Sequence, residues 1–231
     1  MRYLQEHERF EMQTLDVLRR GRFLDNLVFG GGTMLRLCHR LPRYSVDLDF
    51  YLRPQGRDFS AMFSKMAKIF AGTGIEISDQ AEKHFTWLIE LKSPAAPRRL
   101  KIEIRKDDAG ARDRETGIAH SIYVPELQVR LNTCTLAQMF INKVRALVGR
   151  REIRDAYDLE FLLMRGAGDF STLNRDELEQ VRSAISGFSN QDYSSKLGGL
   201  LLQEERNRIT ETRFSFLTGM LNETIAKTPR G

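Results

Sequence analysis

Residues 26–53 read Asn-Leu-Val-Phe-Gly-Gly-Gly-Thr-Met-Leu-Arg-Leu-Cys-His-Arg-Leu-Pro-Arg-Tyr-Ser-Val-Asp-Leu-Asp-Phe-Tyr-Leu-Arg, and this stretch decides the fold. An apolar run, Leu27–Phe29, leads into Gly30–Thr33, and a helix is predicted from Met34 to about His39. A strand that ends in glycines at a helix start presents free backbone N–H groups and the positive end of the helix dipole. Glycine is suitable there because a side chain would block the backbone from the ligand. The stretch therefore predicts a cradle for an anion, most often phosphate.

The second part of the stretch, Val46-Asp-Leu-Asp-Phe-Tyr-Leu52, predicts a strand with two aspartates on one face. With a period of two, Asp47 and Asp49 share a face, and the apolar residues share the other. Their Cα atoms would lie about 6.6 Å apart, and carboxylates that close repel each other unless a cation lies between them or one is protonated. Magnesium takes carboxylate oxygens together with substrate phosphates. Either feature alone is typical of an ordinary turn or a solvated strand, but together they predict a metal–nucleotide site.

This combination resembles the AbiEii/AbiGii-type toxin nucleotidyltransferases, which include the MenT toxins and belong to the DNA polymerase β-like superfamily. The shared pattern is Gly-Gly-Thr, a helix, and Arg-x-Ser-x-Asp-Leu-Asp-Phe. Where the superfamily has Gly-Ser, this chain has a threonine, which keeps the hydroxyl. The resemblance implies catalytic magnesium ligands at Asp47 and Asp49. It implies nucleotide binding at Gly31, Gly32, Thr33, Arg43 and Ser45.

A helix over residues 58–71 is followed by a tract in which alternating apolar residues predict strands at 75–78, 85–92, 99–105 and 118–124. In the third of these strands, Lys101, Glu103 and Arg105 share the polar face. The superfamily often carries a third carboxylate on a later strand of the same sheet, and Glu103 is the candidate for that metal ligand. A solvated face with interleaved charges is an equally good interpretation.

The C-terminal part is predicted to be helical, with helices at 135–149, 153–164, 174–186, 191–203 and 204–227. Lys143 lies on or beside the apolar stripe of the first of these, so it must extend to solvent or meet an anion. The segment from Phe140 to Arg150, followed by Arg-Asp-x-x-Asp-Leu, is similar to a second signature of the toxin family. There a lysine binds nucleotide phosphate and an aspartate of the later helix supports the site. The resemblance assigns these catalytic roles to Lys143 and Asp158.

Composition sets the general class of the protein. The chain has 231 residues, with 36 Lys plus Arg against 31 Asp plus Glu and a pI near 9.3, a basic excess that fits a polyanionic partner. Its cysteines, Cys38 and Cys134, have no zinc-type spacing, and free thiols in a reducing cytoplasm are a simpler interpretation than a disulfide. No run has the character of a signal peptide or a membrane span. The sequence therefore predicts a cytoplasmic protein with no membrane partner.

The sequence predicts an α/β fold, with a polymerase β-like nucleotidyltransferase core and mixed sheet over residues 1–132 and a helical domain over 133–231 that completes the nucleotide site. The predicted activity moves an NMP from an NTP to an acceptor with Mg²⁺. The resemblance implies a toxin with a cognate antitoxin and the tRNA 3′ end as acceptor. A non-catalytic nucleotide- or RNA-binding module, or modification of a protein or a small molecule, stays open. Two repelling carboxylates side by side argue against the non-catalytic module.

Overall fold

The computed structural model describes residues 2–53 and 58–229. The chain divides into two compact units, Met1–Thr135 and Leu136–Gly231. The first unit is a mixed sheet with helices and the second is helical, as the sequence predicts. None of the helices in the described part of the chain is long and apolar enough to cross a membrane.

The N-terminal unit is built on a sheet whose central strands come from the residues 26–53 stretch. Its helices are α1 (Arg2–Arg20), α2 (Gly31–His39) and α3 (Phe59–Ala71). Its strands are β1 (Leu27–Gly30), β2 (Asp47–Leu52), β3 (Glu76–Glu82), β4 (Thr86–Lys92), β5 (Leu100–Arg105), β6 (Arg114–His120) and β7 (Gln128–Cys134). Across the described residues, these strands form one sheet in the order β3-β4-β5-β2-β1-β7-β6. The β2–β5 and β1–β7 pairs are parallel and the other neighbours are antiparallel.

The alternation of side chains along β2 puts core residues on one face and the candidate site residues on the other. Leu48, Phe50 and Leu52 are buried, and Phe50 stacks on Phe29 of β1 with ring centroids 5.1 Å apart. The residues that alternate with them, Asp47, Asp49 and Tyr51, are half-buried on the opposite face. The apolar face thus fixes the register, because a shift by one residue would move the aspartates into the core.

The strand predicted at 118–124 is placed too late in the sequence, and β7 is a strand that was not predicted. Strand β6 ends at His120 because the chain turns at Ser121, whose hydroxyl donates to Glu8 Oε1 (2.6 Å) and accepts from the N–H of Tyr123 (3.1 Å). In β7 the inward positions are Val129, Leu131 and Thr133, and the polar threonine weakens the apolar alternation.

The C-terminal unit is made of short helices. Its α-helices are α4 (Leu136–Arg150), α5 (Ile153–Met164), α6 (Arg175–Ser186), α7 (Gln203–Thr212) and α8 (Ser215–Lys227). The start of α6 is fixed by a capping box, in which the Asn174 side chain accepts from the Glu177 N–H and the Glu177 carboxylate accepts from the Asn174 N–H. The predicted helix at 153–164 is confirmed.

Two predicted C-terminal helices are wrong in extent. The segment predicted as a helix at 191–203 forms one π-helical turn, Asp192–Leu197, and a 3₁₀ turn, Gly198–Leu200. The helix predicted at 204–227 is broken at Arg213 and Phe214, which take left-handed conformations with φ of 46° and 60°. The break buries the Phe214 ring completely beside Tyr193, with centroids 5.3 Å apart, and this burial offsets the backbone strain.

Candidate active site

Gly31, the first residue of α2, lies directly against an aspartate of β2. Its φ is +72°, and a Cβ placed there would lie 2.0 Å from Asp49 Oδ2. Gly30, one residue earlier, is the register partner of Asp49 in the antiparallel β1–β2 pair. Glycine is therefore required at position 31 both by its backbone conformation and by the carboxylate next to it.

Gly32 brings two further predicted site residues to the same helical turn. A Cβ at this position would lie 2.4 Å from Arg43 Nη2 and 2.8 Å from Ser45 Oγ. Arg43 is only 1% exposed, and its Nη1 donates to the Tyr44 carbonyl (2.9 Å). The guanidinium and the Ser45 hydroxyl thus pack against the start of α2, where the first N–H groups of a helix lack intrahelical partners.

Thr33 links α2 to the beginning of β2. Its Oγ1 donates to the Asp47 carbonyl (2.6 Å), and the side chain is completely buried. The hydroxyl therefore positions the backbone of Asp47 from inside the fold.

The two predicted metal-binding aspartates share a face with Glu103. In the parallel β2–β5 pair, Asp47 is opposite Lys101, and Asp49 is opposite Glu103. Lys101 Nζ lies 3.4 Å from Asp47 Oδ2 and 3.7 Å from Glu103 Oε2, and Arg105 Nη2 lies 3.7 Å from Glu103 Oε1. On β2 and β5 this face thus carries three carboxylates and two cations, all at least partly accessible to solvent, and Glu90 of β4 is the register partner of Lys101 on its other side.

The chemistry of this donor set fits Mg²⁺ together with a nucleotide. Among residues 2–53 and 58–229, no group of three or more His, Cys, Asp or Glu side chains is arranged to hold a metal ion by itself. Magnesium at phosphate-transfer sites usually takes one or two carboxylates and completes its shell with water and substrate phosphates. Asp47 and Asp49 would supply the two carboxylates, and the role of Glu103 as a third ligand stays a prediction.

Buried polar side chains of α1 lie next to the residue that precedes β2. His7 Nε2 lies 3.0 Å from the Val46 carbonyl and, because a carbonyl only accepts, it donates this hydrogen bond. Burial lowers the pKa of His7. Burial, reinforced by the nearby Glu8 carboxylate, raises the pKa of Glu11 well above its usual range. Both shifts favour the neutral forms of His7 and Glu11.

In the C-terminal unit, Lys143 is the centre of a buried ion cluster. It is 5% exposed, and its Nζ lies 2.9 Å from Asp155 Oδ1 and 2.6 Å from Asp158 Oδ2. Arg150 makes a bidentate contact to Asp155 with both distances 2.7 Å. Burial alone would raise the pKa of Asp155, but Lys143 and Arg150 outweigh it and lower the pKa to about 2. The sequence predicted that Lys143 either extends to solvent or meets an anion. In the structure it contacts the Asp155 and Asp158 carboxylates of its own unit.

Sequence reasoning gave no role to two members of these clusters. It placed Lys101 on the polar face with Glu103 and left open whether that face is only solvated. It gave Asp155 no role beyond its place in the Arg-Asp-x-x-Asp-Leu segment, whereas the structure buries it completely. The available signal was spacing, since Arg150 precedes Asp155 by five residues across the turn between α4 and α5.

A family model described as Nucleotidyl transferase AbiEii toxin, Type IV TA system, matches residues 14–227. This chain belongs to that family. The match includes the glycine turn, the aspartate strand and the Lys143 cluster, and it confirms the resemblance found in the sequence. The chain is accordingly a nucleotidyltransferase of a toxin–antitoxin family.

Solved structures show the same fold. The chain is similar to JHP933 from Helicobacter pylori, with a TM-score of 0.57 and 20% identity. The similarity covers 97% of this chain and 92% of JHP933. It is also similar to MenT4, a nucleotidyltransferase toxin from Mycobacterium tuberculosis, with a TM-score of 0.55 and 17% identity over 95% of this chain and 86% of that one. No curated protein matches the chain in sequence.

Replacing Gly31 with alanine tests the contact with Asp49. Gly74 is the matched control, because its φ is +74° but a Cβ there would have no neighbour within 4 Å. Both variants carry the left-handed strain, and only Gly31→Ala also displaces Asp49. We expect Gly31→Ala to lower the free energy of unfolding by about 1–3 kcal/mol more than Gly74→Ala. Urea titration followed by the fluorescence of Trp87, the single tryptophan, measures both. Equal losses would contradict the contact.

Asp155 is expected to make the helical unit sensitive to acid. Its pKa in the folded protein, about 2, lies below the usual 3.8, so its stabilisation is complete above about pH 4 and is lost as the pH falls toward 2. Protonation of Asp155 lowers the free energy of unfolding by about 2 kcal/mol. Asp155→Asn abolishes this dependence on pH and also lowers the free energy of unfolding at pH 7. Urea unfolding followed by circular dichroism at several pH values measures the effect. Asp176→Asn, at an exposed aspartate of α6, is the control. An unchanged pH dependence in Asp155→Asn would contradict the ion cluster.

Proposed function

We propose that this nucleotidyltransferase moves a nucleoside monophosphate from an NTP to the 3′ end of tRNA in a Mg²⁺-dependent reaction. The observation that carries the proposal is the packing of Gly31 against the Asp49 carboxylate. It puts hard oxygen donors next to the start of a helix, the end of a helix that favours an anion. A metal-bound triphosphate needs both, because carboxylates would hold the metal and the helix start would hold phosphate oxygens.

Asp47 and Asp49 would hold Mg²⁺, and Glu103 is the neighbouring candidate for a third carboxylate. When bound, the ion would neutralise phosphate charge and lower the pKa of the attacking hydroxyl. The acceptor hydroxyl forms a bond to the α-phosphorus of the NTP, and the bond to pyrophosphate breaks. Such transfer depends on positioning and charge stabilisation, so no covalent intermediate with a protein side chain is needed.

The chain's own groups would orient the nucleotide. The N–H groups of Gly31, Gly32 and Thr33 would bind phosphate oxygens. Arg43 and Ser45 are proposed to act at the same turn, because both pack against Gly32.

Lys143 is proposed to contact a nucleotide phosphate with the one N–H of its ammonium that Asp155 and Asp158 do not use, and Asp158 is proposed as the aspartate that fixes it (2.6 Å). A lysine held by two fully buried carboxylates keeps a defined position, which is what a phosphate contact requires.

The proposed acceptor and setting rest on charge and family. A net charge of +5 favours a polyanion such as tRNA over a cationic small molecule. The toxin–antitoxin family implies an antitoxin partner. We also propose that the enzyme acts in the cytoplasm, where its free thiols at Cys38 and Cys134 would persist. Burial raises the pKa of both thiols to about 12, which keeps them unreactive.

Transfer of radioactive label tests the proposal. The enzyme is incubated with Mg²⁺, total tRNA and each of the four α-labelled NTPs separately, next to Asp49→Asn and the control Asp79→Asn, at an exposed aspartate of β3. We expect label on tRNA with one or more NTPs, a loss of at least about a hundredfold in Asp49→Asn, and full activity in Asp79→Asn. EDTA should abolish labelling.

Other results would redirect or contradict the proposal. Label on the protein itself, or on an added lysate protein, would keep the chemistry and replace the acceptor. Label that is unaffected by Asp49→Asn would contradict the site. NTP binding without transfer to any acceptor would contradict the proposed reaction.

A further inference from the structure

Lys101 lies on the face of β2 and β5 that carries Asp47, Asp49 and Glu103, which we call the carboxylate face. It is opposite Asp47 in the parallel β2–β5 register, one step along the strand from the Asp49–Glu103 pair. Its ammonium lies between the Asp47 and Glu103 carboxylates, at 3.4 Å and 3.7 Å. Lys101 therefore reduces the repulsion between the Asp47 and Glu103 carboxylates.

The contacts of Lys101 are loose. A charge-assisted hydrogen bond from nitrogen to a carboxylate oxygen is about 2.7–2.9 Å long, and both contacts of Lys101 are longer. Its side chain is 37% exposed, whereas Lys143 is buried against two carboxylates at 2.6 Å and 2.9 Å. Lys143 is thus fixed in its cluster, whereas Lys101 is able to leave the carboxylates for solvent at little cost.

We propose that Lys101 is the built-in counter-ion of the carboxylate face and that it competes with the divalent metal for Asp47. The inference rests on the proposed function, because it assigns the metal to this face. A metal held by Asp47 would lie close to the Lys101 ammonium (3.4 Å from Asp47 Oδ2), and repulsion between the two positive charges would move the ammonium away. Lys101 accordingly lowers the affinity for metal in the absence of nucleotide, and it screens the repulsion between the Asp47 and Glu103 carboxylates until a metal-bound NTP arrives.

The competition predicts a tighter metal site when the lysine charge is removed. Mn²⁺ is the probe, because it takes the same oxygen ligands as Mg²⁺. Electron paramagnetic resonance measures the concentration of free Mn²⁺. We expect Lys101→Met to bind Mn²⁺ at least about fivefold more tightly than the wild type. One unit charge about 4 Å from a divalent ion in a water-like dielectric changes its affinity about thirtyfold, and screening by salt reduces this effect. Lys101→Gln serves as a second neutral variant, and Trp87 fluorescence confirms that each variant is folded.

Lys106→Met is the matched control, since it removes the same charge just beyond the end of the same strand, where Lys106 pairs with Glu82 (2.7 Å). It should leave Mn²⁺ affinity unchanged. A double-mutant cycle with Asp47→Asn adds a second test, because Lys101→Met should have little effect once Asp47 is neutral.

The outcomes separate this inference from the proposed function. Equal Mn²⁺ affinity in the wild type, Lys101→Met and Lys101→Gln would overturn the competition and leave the metal site intact, as would weaker binding in both variants. An equal gain in Lys106→Met would mean that net charge alone acts, and would also overturn it. Absence of Mn²⁺ binding in every variant would overturn both the inference and the proposed metal dependence.

Discussion

The approach of Gly31 to the Asp49 carboxylate is the constraint on which the site depends. It requires the chain to leave β1 with a positive φ, to begin α2 immediately, and to return as β2 antiparallel to β1. The return is held by Thr33, whose hydroxyl donates to the Asp47 carbonyl. A helix start and two carboxylates are thereby fixed within one short stretch, and the parallel strand β5 then adds Glu103 beside Asp49.

Electrostatics divides Lys143 and Lys101 into two kinds. Lys143 is buried against two buried carboxylates, Asp155 and Asp158, and the half-exposed Arg150 balances the remaining charge. Removing Lys143 would cost about 3–5 kcal/mol, because an unpaired charge would stay buried. Lys101 lies on a half-exposed face where water screens its loose contacts. The buried contacts fix the position of the Lys143 ammonium, whereas the loose contacts of Lys101 would allow a metal ion to replace its ammonium.

The sequence predicted the part of the site that is local in the chain. The glycines, the alternation of β2 and the helical spacing around Lys143 depend on neighbours within a few residues, so their elements could be predicted directly, whereas the role of Lys143 was inferred from the family resemblance. Partners distant in sequence were not predictable in this way. The pairing of Asp47 with Lys101 depends on a parallel register between strands some fifty residues apart in sequence, and the Thr33 hydrogen bond depends on how α2 packs against β2. The break at Phe214 was missed because burial of one ring outweighs local helix propensity.

The most direct measurement is a crystal structure of the protein with Mn²⁺ and a non-hydrolysable NTP analogue, in which anomalous scattering locates the metal. The account predicts Mn²⁺ bound to Asp47 and Asp49, phosphate oxygens within hydrogen-bonding distance of the N–H groups of Gly31–Thr33, and Lys101 displaced from Asp47. A nucleotide bound elsewhere, or Mn²⁺ coordinated without either aspartate, would contradict it.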